Sequence, residues 1–243
     1  MIRFTAFIAL FVILASLWAS ANIVGTDANN FNSNTSGLDF VTVQSSRTLE
    51  PGIYNLGLFS TYYENSLSFL SPATKNNETY RDGLWVAETN LGVGFGRRWD
   101  FGLSLPFLVS SASNAQNQRI LISGSGLMGI RANIKYRPFG DNDGSGLALI
   151  ASANQDLLSN NPYSGTNPGP TAQLEMAYST WLGRFIVGVN GGYRLRYPGT
   201  PVAGVPINPF RNQWIGSLAA SYMLKDFDTK LIGEIFGSTA AQA

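Results

Sequence analysis

Apolar and polar positions along most of this chain alternate with a period of two. From Leu84 to Gly96, one side carries Trp85, Ala87, Thr89, Leu91, Val93 and Phe95, and the other Val86, Glu88, Asn90, Gly92 and Gly94. The pattern continues with Phe101, Leu103, Leu105, Phe107 and Val109 opposite Gly102, Ser104, Pro106 and Ser110. Ile122, Met128, Ile130, Ala132, Ile134 and Tyr136 then share a side against Ser123, Ser125, Arg131, Asn133 and Lys135. Leu174, Met176 and Tyr178 oppose Gln173, Glu175 and Ser179; Phe185, Val187, Val189, Tyr193 and Leu195 oppose Gly188, Asn190, Gly192, Arg194 and Arg196. Trp214, Leu218, Ala220 and Tyr222 oppose Gln213, Ser217 and Ser221. Alternation of this length is the mark of strands with one apolar and one polar face, so the chain is predicted to be all-β. Segments near 53–66, 145–157 and 228–241 alternate less cleanly.

These strands are about 11–15 residues long, where globular strands average about five or six and a tilted strand crosses a bilayer in about 9–11. Connector lengths carry a separate signal. Short links at Arg97–Asp100, Pro138–Ser145, Leu182–Arg184 and Lys225–Asp228 alternate with long ones at about 67–82, 111–121, 158–170 and 198–210. Membrane barrels with short turns on one side and long loops on the other produce this rhythm. The long links, rich in Asn, Ser, Pro and Gly, are expected to be solvated outer loops. In lipid every backbone N–H and C=O must be paired within the protein, so a spanning sheet has to close. The expected fold is an antiparallel up-and-down transmembrane β-barrel of about 10–12 strands. Trp85, Tyr136, Tyr178, Tyr193, Tyr197, Trp214 and Tyr222 stand near strand ends, as headgroup belts require.

Nine long strands are counted, starting near 53, 84, 100, 122, 145, 171, 184, 211 and 228. Bacterial barrels usually have an even number. The segment Asp39–Leu49 is either a tenth strand or an inward-lying segment, with the second reading preferred. Together with a C-terminus that lacks a terminal aromatic, the odd count predicts a barrel incomplete on its C-terminal side.

The N-terminus reads as an address. Met1-Ile2-Arg3 precedes an apolar run from Phe4 to Trp18, then Ala19-Ser20-Ala21. This is the form of a secretory signal peptide, with cleavage expected after Ala21; the apolar run is short of the roughly 20 residues a membrane helix needs. Residues 1–21 are therefore read as the leader, 22–50 as a periplasmic or inward segment, and 51–243 as the barrel.

Composition narrows the chemistry. There are 16 Lys and Arg against 15 Asp and Glu, no His and no Cys. That balance offers no basic field for nucleic acid. The missing residue types exclude Ser-His-Asp catalysis, thiolate chemistry and His- or Cys-bearing metal sites. No enzyme activity, cofactor, metal or catalytic residue is predicted. Gly124-Ser125-Gly126-Leu127-Met128-Gly129 matches a dinucleotide-binding spacing, which needs a helix to begin there; the alternation runs on to Tyr136 instead. Asp141-Asn142-Asp143-Gly144-Ser145 resembles part of a calcium loop without its twelfth-position Glu, and reads as a polar turn. Asn34-Thr35-Ser36 and Asn77-Glu78-Thr79 match glycosylation sequons, which short sequences do often by chance.

The inward polar faces carry a set of charges: Glu88, Glu175 and Glu234 against Arg131, Lys135, Arg194, Arg196 and Lys230. Salt bridges that stiffen the lumen are the favoured reading. A water-filled pore is the alternative, with the excess of positive groups predicting mild anion preference.

Phe40-Val41-Thr42-Val43-Gln44-Ser45-Ser46-Arg47-Thr48-Leu49-Glu50-Pro51-Gly52, followed by Asn55-Leu56-Gly57-Leu58-Phe59, resembles the start of OmpA-family barrels from predatory and fruiting deltaproteobacteria. The stretches from Leu91 to Pro106, Gly126 to Tyr136, Gly191 to Arg196 and Gly233 to Gly237 are similar to that family too. The resemblance implies an outer-membrane location, a lipid environment, the barrel-assembly machinery as a partner during biogenesis, and a structural role in the envelope. Family members usually continue into further strands and often a peptidoglycan-binding domain; the resemblance here covers the barrel part alone. The alternatives are a small porin or passive solute channel, and a secreted β-sandwich used for adhesion.

Overall fold

A computed structural model of the chain describes residues 31–64, 82–113, 125–158, 161–203, 208–224, 226 and 228–241. The leader, the sequon at Asn77, and Ile122 and Ser123 lie outside the described residues. The rest is all-β: β1 (Tyr54–Glu64), β2 (Asp82–Gly94), β3 (Trp99–Ser113), β4 (Gly126–Leu127), β5 (Gly129–Gly140), β6 (Gly146–Asp156), β7 (Thr171–Leu182), β8 (Phe185–Leu195), β9 (Gln213–Leu224) and β10 (Thr229–Ala240).

Each long strand pairs antiparallel with the next, in the order β1-β2-β3-β5-β6-β7-β8-β9-β10, and two-residue β4 pairs with β3. The result is an up-and-down sheet curled into an open half-barrel. Among the described residues nine long strands are present, β1 and β10 end the order, and no ladder joins them. The weakly patterned segments near 53–66, 145–157 and 228–241 form β1, β6 and β10. Chain reversals on one side are short, such as 95–98 and 183–184, and those on the other span 65–81 and 196–212. These two sides are called the turn end and the loop end below.

Alternation decides which side chains face in. In β2, Leu84, Val86, Glu88 and Asn90 are buried while Trp85, Thr89 and Leu91 are exposed. The same rule puts Ser104 of β3, Asn133 and Lys135 of β5, Ala177 and Ser179 of β7, Asn190 of β8 and Ser221 of β9 on the inner face. Small or polar groups thus line much of the inside, interrupted by buried aliphatics such as Leu84, Val86, Leu108, Ile150 and Ile186, and the outer face carries Leu56, Ile134, Leu174, Met176, Val189 and Leu231, all exposed. A soluble sheet puts its apolar face against a core; this sheet has the reverse arrangement.

Residues 31–50 occupy the inner face. They contain no strand, so a tenth strand over Asp39–Leu49 is not formed. Ser33, Thr35, Phe40, Val43, Ser46 and Leu49 are buried there instead. Glycines make room for this inner segment. A Cβ at Gly102 would lie 2.6 Å from Asn133 Nδ2 and against the Thr35 side chain, and one at Gly188 would meet the Phe40 ring at 2.5 Å. Phe40 and Val43 pack with Ile186 and Ala219 toward the turn end.

Two expectations are corrected at the loop end. Met128 does not share the outward side with Ile130; it is buried inside with Leu84, Val86 and Leu108. Its N–H donates to the Pro106 carbonyl, and Pro106 has no N–H to return. The register between β3 and this arm slips by one residue between β4 and β5, which turns Met128 inward. The link at 158–170 is also not a freely solvated loop over its first half. Asn161 and Ser164 are buried, because the Asp156 carboxylate accepts hydrogen bonds from Asn161 Nδ2 (2.7 Å) and Ser164 Oγ. Tyr163 stacks on Phe210 at 5.5 Å, and Leu158, Tyr163 and Val202 lie against the Met128 cluster.

Candidate functional site

The inner face collects the charged groups that alternation assigns to it; all but Lys135 are held in two networks and a latch. The first network is centred on Glu88, which is 2% exposed. Its Oε1 accepts hydrogen bonds from Arg131 Nη2 at 2.9 Å, Ser104 Oγ at 2.8 Å and Ser33 Oγ. Arg131 also donates to the Ser33 carbonyl at 3.1 Å and to Asn32. Three strands and the inner segment therefore meet at one carboxylate. Ordinary geometry explains why: Glu88, Ser104 and Arg131 sit at inward positions of β2, β3 and β5, and Ser104 is the register partner of Arg131.

The second network crosses β7, β8 and β9. Glu175 accepts from Gln173 Nε2 at 2.6 Å and from Asn190 Nδ2 at 2.9 Å. Gln173 Oε1 accepts from Arg194 Nε at 2.9 Å, and Gln213 Oε1 accepts from both Arg194 Nη1 (3.3 Å) and Arg196 Nε (3.2 Å). Amide side chains thus relay between the acid and the two arginines, which the spacing of charges alone did not reveal.

The latch joins β10 to the inner segment. The Glu234 carboxylate accepts the backbone N–H groups of Val41 (2.8 Å), Thr42 (3.0 Å) and Val43 (3.2 Å), and the Thr42 hydroxyl at 2.8 Å. Successive N–H groups converging on one point form an anion-binding nest; here a strand residue of the same chain fills it. Lys230, two inward positions away, lies 4.0 Å from Asp39.

Lys135 is 1% exposed, with its Nζ 3.8 Å from Asp100 Oδ2 and donating to the Arg47 carbonyl at 3.3 Å. The structure therefore places Glu88, Arg131, Lys135, Glu175, Arg194, Arg196, Lys230 and Glu234 along the inner side. It adds charges that the sequence reading passed over. Asp100 and Arg137 fall at the ends of strands; Asp100 was assigned to a link and Arg137 to neither strand nor link, although Asp100 shares parity with Gly102 and Ser104, and Arg137 with Asn133 and Lys135. Asp39 and Arg47, paired at 2.9 Å, belong to the inner segment and carry no strand pattern. With Asp39, Asp100, Arg47 and Arg137 added, the named inner groups keep the same excess of positive charge, and Asp39 and Asp100 each lie beside a cation.

The turn-end contacts of the inner segment are equally specific. Ser46 N–H donates to Ser179 Oγ at 3.0 Å, and Asn142 exchanges bonds with the Thr48 N–H and carbonyl at 3.3 and 3.1 Å. Asn142, within the calcium-loop-like turn, is thus used as a clip for the chain, and also accepts from Arg137. Of the dinucleotide-like glycines, Gly126 falls in β4 and Gly129 at the start of β5, and Gly124 lies outside the described residues. Among the described residues no cluster of three or more metal-ligating side chains forms.

Outward aromatics gather at two heights. At the turn end Trp99 stacks on Tyr136 at 4.3 Å and Phe185 packs on Tyr222 at 4.6 Å; at the loop end Tyr193 meets Trp214 edge-on at 4.8 Å. Trp214 and Tyr222 are eight residues apart in β9. At about 3.4 Å per residue and a tilt of about 40°, that separation is roughly 21 Å along the barrel axis, near the ~25 Å apolar band of membrane barrels. Comparisons with family models, curated proteins and solved structures return no match, so the family resemblance rests on the sequence motifs alone.

Proposed function

We propose that this chain is an outer-membrane β-barrel protein with a structural role in the envelope, delivered by an N-terminal leader. The observation that carries the reading is the inverted sheet: an apolar outer face bounded by two rows of aromatics, over a polar, hydrogen-bonded interior. Lipid is the solvent for which such a surface is made. The filled interior favours a structural role over a solute channel, since a channel needs a continuous path for water. Residues 31–50 lie across the middle and turn end, and the Leu84–Val86–Leu108–Met128 cluster crosses the loop end.

Flotation with liposomes after an alkaline wash tests the membrane reading: the folded chain is expected to rise with the lipid, and recovery in the unbound soluble fraction refutes it. Planar-bilayer recording tests the role. A closed baseline is expected, with steady conductance appearing when residues 31–50 are deleted from the mature chain. Steady conductance of the intact chain would favour the porin reading, and replacing Arg194 and Arg196 by Glu would then shift its reversal potential toward cations.

A further inference from the structure

Opposite charges meet at one corner of the turn end without pairing. The chain reverses from β2 into β3 at Gly96, whose φ is +79°, and the Phe95 N–H donates to the Trp99 carbonyl at 3.0 Å. Arg97 and Arg98 stand on this turn and are exposed. Arg98 Nη1 donates to the Pro138 carbonyl at 3.1 Å, which uses one of its several N–H donors. Arg137 ties the turn to its neighbour: its Nη2 donates to the Arg97 carbonyl at 3.0 Å and its Nη1 to Asn142. Asn142 lies between Asp141 and Asp143, both exposed. Among the described residues no ion pair joins either acid to Arg97 or Arg98.

An aromatic patch borders this corner on the outer face. Trp99 stacks on Phe95 at 6.1 Å and on Tyr136 at 4.3 Å, and Phe101 and Phe139 are exposed, Phe139 at 68%. The β5 ladder is irregular between Tyr136 and Phe139, and Pro138, within that irregularity, holds Arg98. The guanidinium is thus fixed at the rim of the rings, where the strands end. Rings of this kind favour the boundary between hydrocarbon and water, and a guanidinium takes phosphate oxygens with its planar fork. The order from rim to sheet, charge and then rings, matches a phospholipid, with phosphate above and glycerol and acyl chain below.

The unpaired acids choose the headgroup. Phosphate alone would satisfy the arginines and leave Asp141 and Asp143 facing a like charge. A headgroup that carries an ammonium beside its phosphate answers both signs, and a primary ammonium donates hydrogen bonds that a quaternary one lacks. We propose that this corner binds an aminophospholipid of the phosphatidylethanolamine class. Arg97 and Arg98 take the phosphate, Asp141 and Asp143 the ammonium, and Trp99, Tyr136 and Phe139 the glycerol and upper acyl chain. The proposal rests on the membrane reading for the lipid's presence, while the unpaired charges and their ring patch stand apart from it.

The test offers the folded full chain in detergent phosphatidylethanolamine, phosphatidylglycerol or phosphatidylcholine with identical acyl chains, and counts bound lipid by native mass spectrometry. Phosphatidylethanolamine is expected to be retained about fivefold or more over each of the others. Arg98→Gln is expected to lower its retention about fivefold, and Arg211→Gln, exposed at the loop end, to leave it unchanged. Asp141→Asn with Asp143→Asn is expected to make phosphatidylglycerol the preferred lipid. Equal retention of the three lipids by the unmodified chain overturns the proposal. So does a preference for phosphatidylglycerol, which would mean that the acids take no part. These side chains are exposed or lie on turns, so the variants' unfolding midpoints in lipid-free detergent should stay within about 2 °C. As a readout free of substitutions, phosphatidylethanolamine is expected to raise the midpoint of the unmodified chain by about 3 °C or more. No rise overturns the proposal, and an equal rise with inorganic phosphate does so too, since it would mean a site for the free anion. A chain that shows the lipid preference in detergent but fails to float with liposomes would keep the headgroup site and reject the membrane reading.

Discussion

Removing Arg131 tests whether the Glu88 network holds the sheet to its inner segment. Glu88 has a side chain 3% exposed and Arg131 one 16% exposed, with 2.9 Å between charged atoms. Arg131→Met removes the cation and keeps much of its volume. Glu88 then retains Ser33 and Ser104 as donors but no positive charge, and its Oε2 already has no hydrogen-bond partner. Stripping one partner from a buried pair costs about 3–5 kcal/mol. With a denaturant slope of about 2 kcal/mol per M in urea, the unfolding midpoint should fall by about 2 M. Adding Glu88→Gln to Arg131→Met removes the stranded charge, so the double variant should recover about half the loss or more, since replacing both members of a buried pair is often nearly neutral. Equilibrium urea unfolding in detergent, followed by tryptophan emission, measures all four members of the cycle. Additive losses would refute the reasoning, because they would mean that Glu88 and Arg131 act independently of each other.

Gly188→Val should destabilise by about 1–3 kcal/mol through its clash with Phe40, whereas Gly191→Val in the same strand, where a Cβ meets nothing within 4 Å, should not; thermal unfolding compares the two. Glu234→Ala leaves three N–H groups of the inner segment without an acceptor, a loss of about 1–3 kcal/mol for each buried group left unsatisfied, and limited proteolysis should cut within residues 39–49 at least about tenfold faster. Met176→Arg, outward near the middle of β7, should lower stability in liposomes by about 2–4 kcal/mol; a change within about 0.5 kcal/mol, usual for an exposed residue of a soluble protein, would count against lipid contact.

The strands were legible because each is long and its two faces meet different surroundings, so residue type alone marks the parity. β1 and β10 were harder to read. Phe59, Tyr63, Ile232 and Phe236, on the two strands that end the described sheet order, are aromatic or aliphatic at inward positions, and alternation blurs. Met128 defeated the pattern for another reason: a one-residue slip next to a proline reverses inside and outside, and nothing in the alternation announces it. Of the interior charges, those in mid-strand were found by parity. Asp100 and Arg137 were missed at strand ends, and Asp39 and Arg47 were missed because the inner segment is irregular.

By itself the sequence determined the strand order of alternating faces, the short and long reversals, and the sign of the design, apolar outside and polar within. Those are local properties, fixed by which side chains recur at every second residue. Only the tertiary structure decided what the polar interior does. Residues 31–50 have no periodic pattern, and their path is set by partners 55 to 193 residues away: Glu88, Arg131, Ser179 and Glu234. That no ladder joins β1 to β10 among the described residues is likewise a tertiary fact. Whether the first and last strands meet depends on curvature summed over eight pairings and on the segment held between them, and no single stretch of chain encodes either.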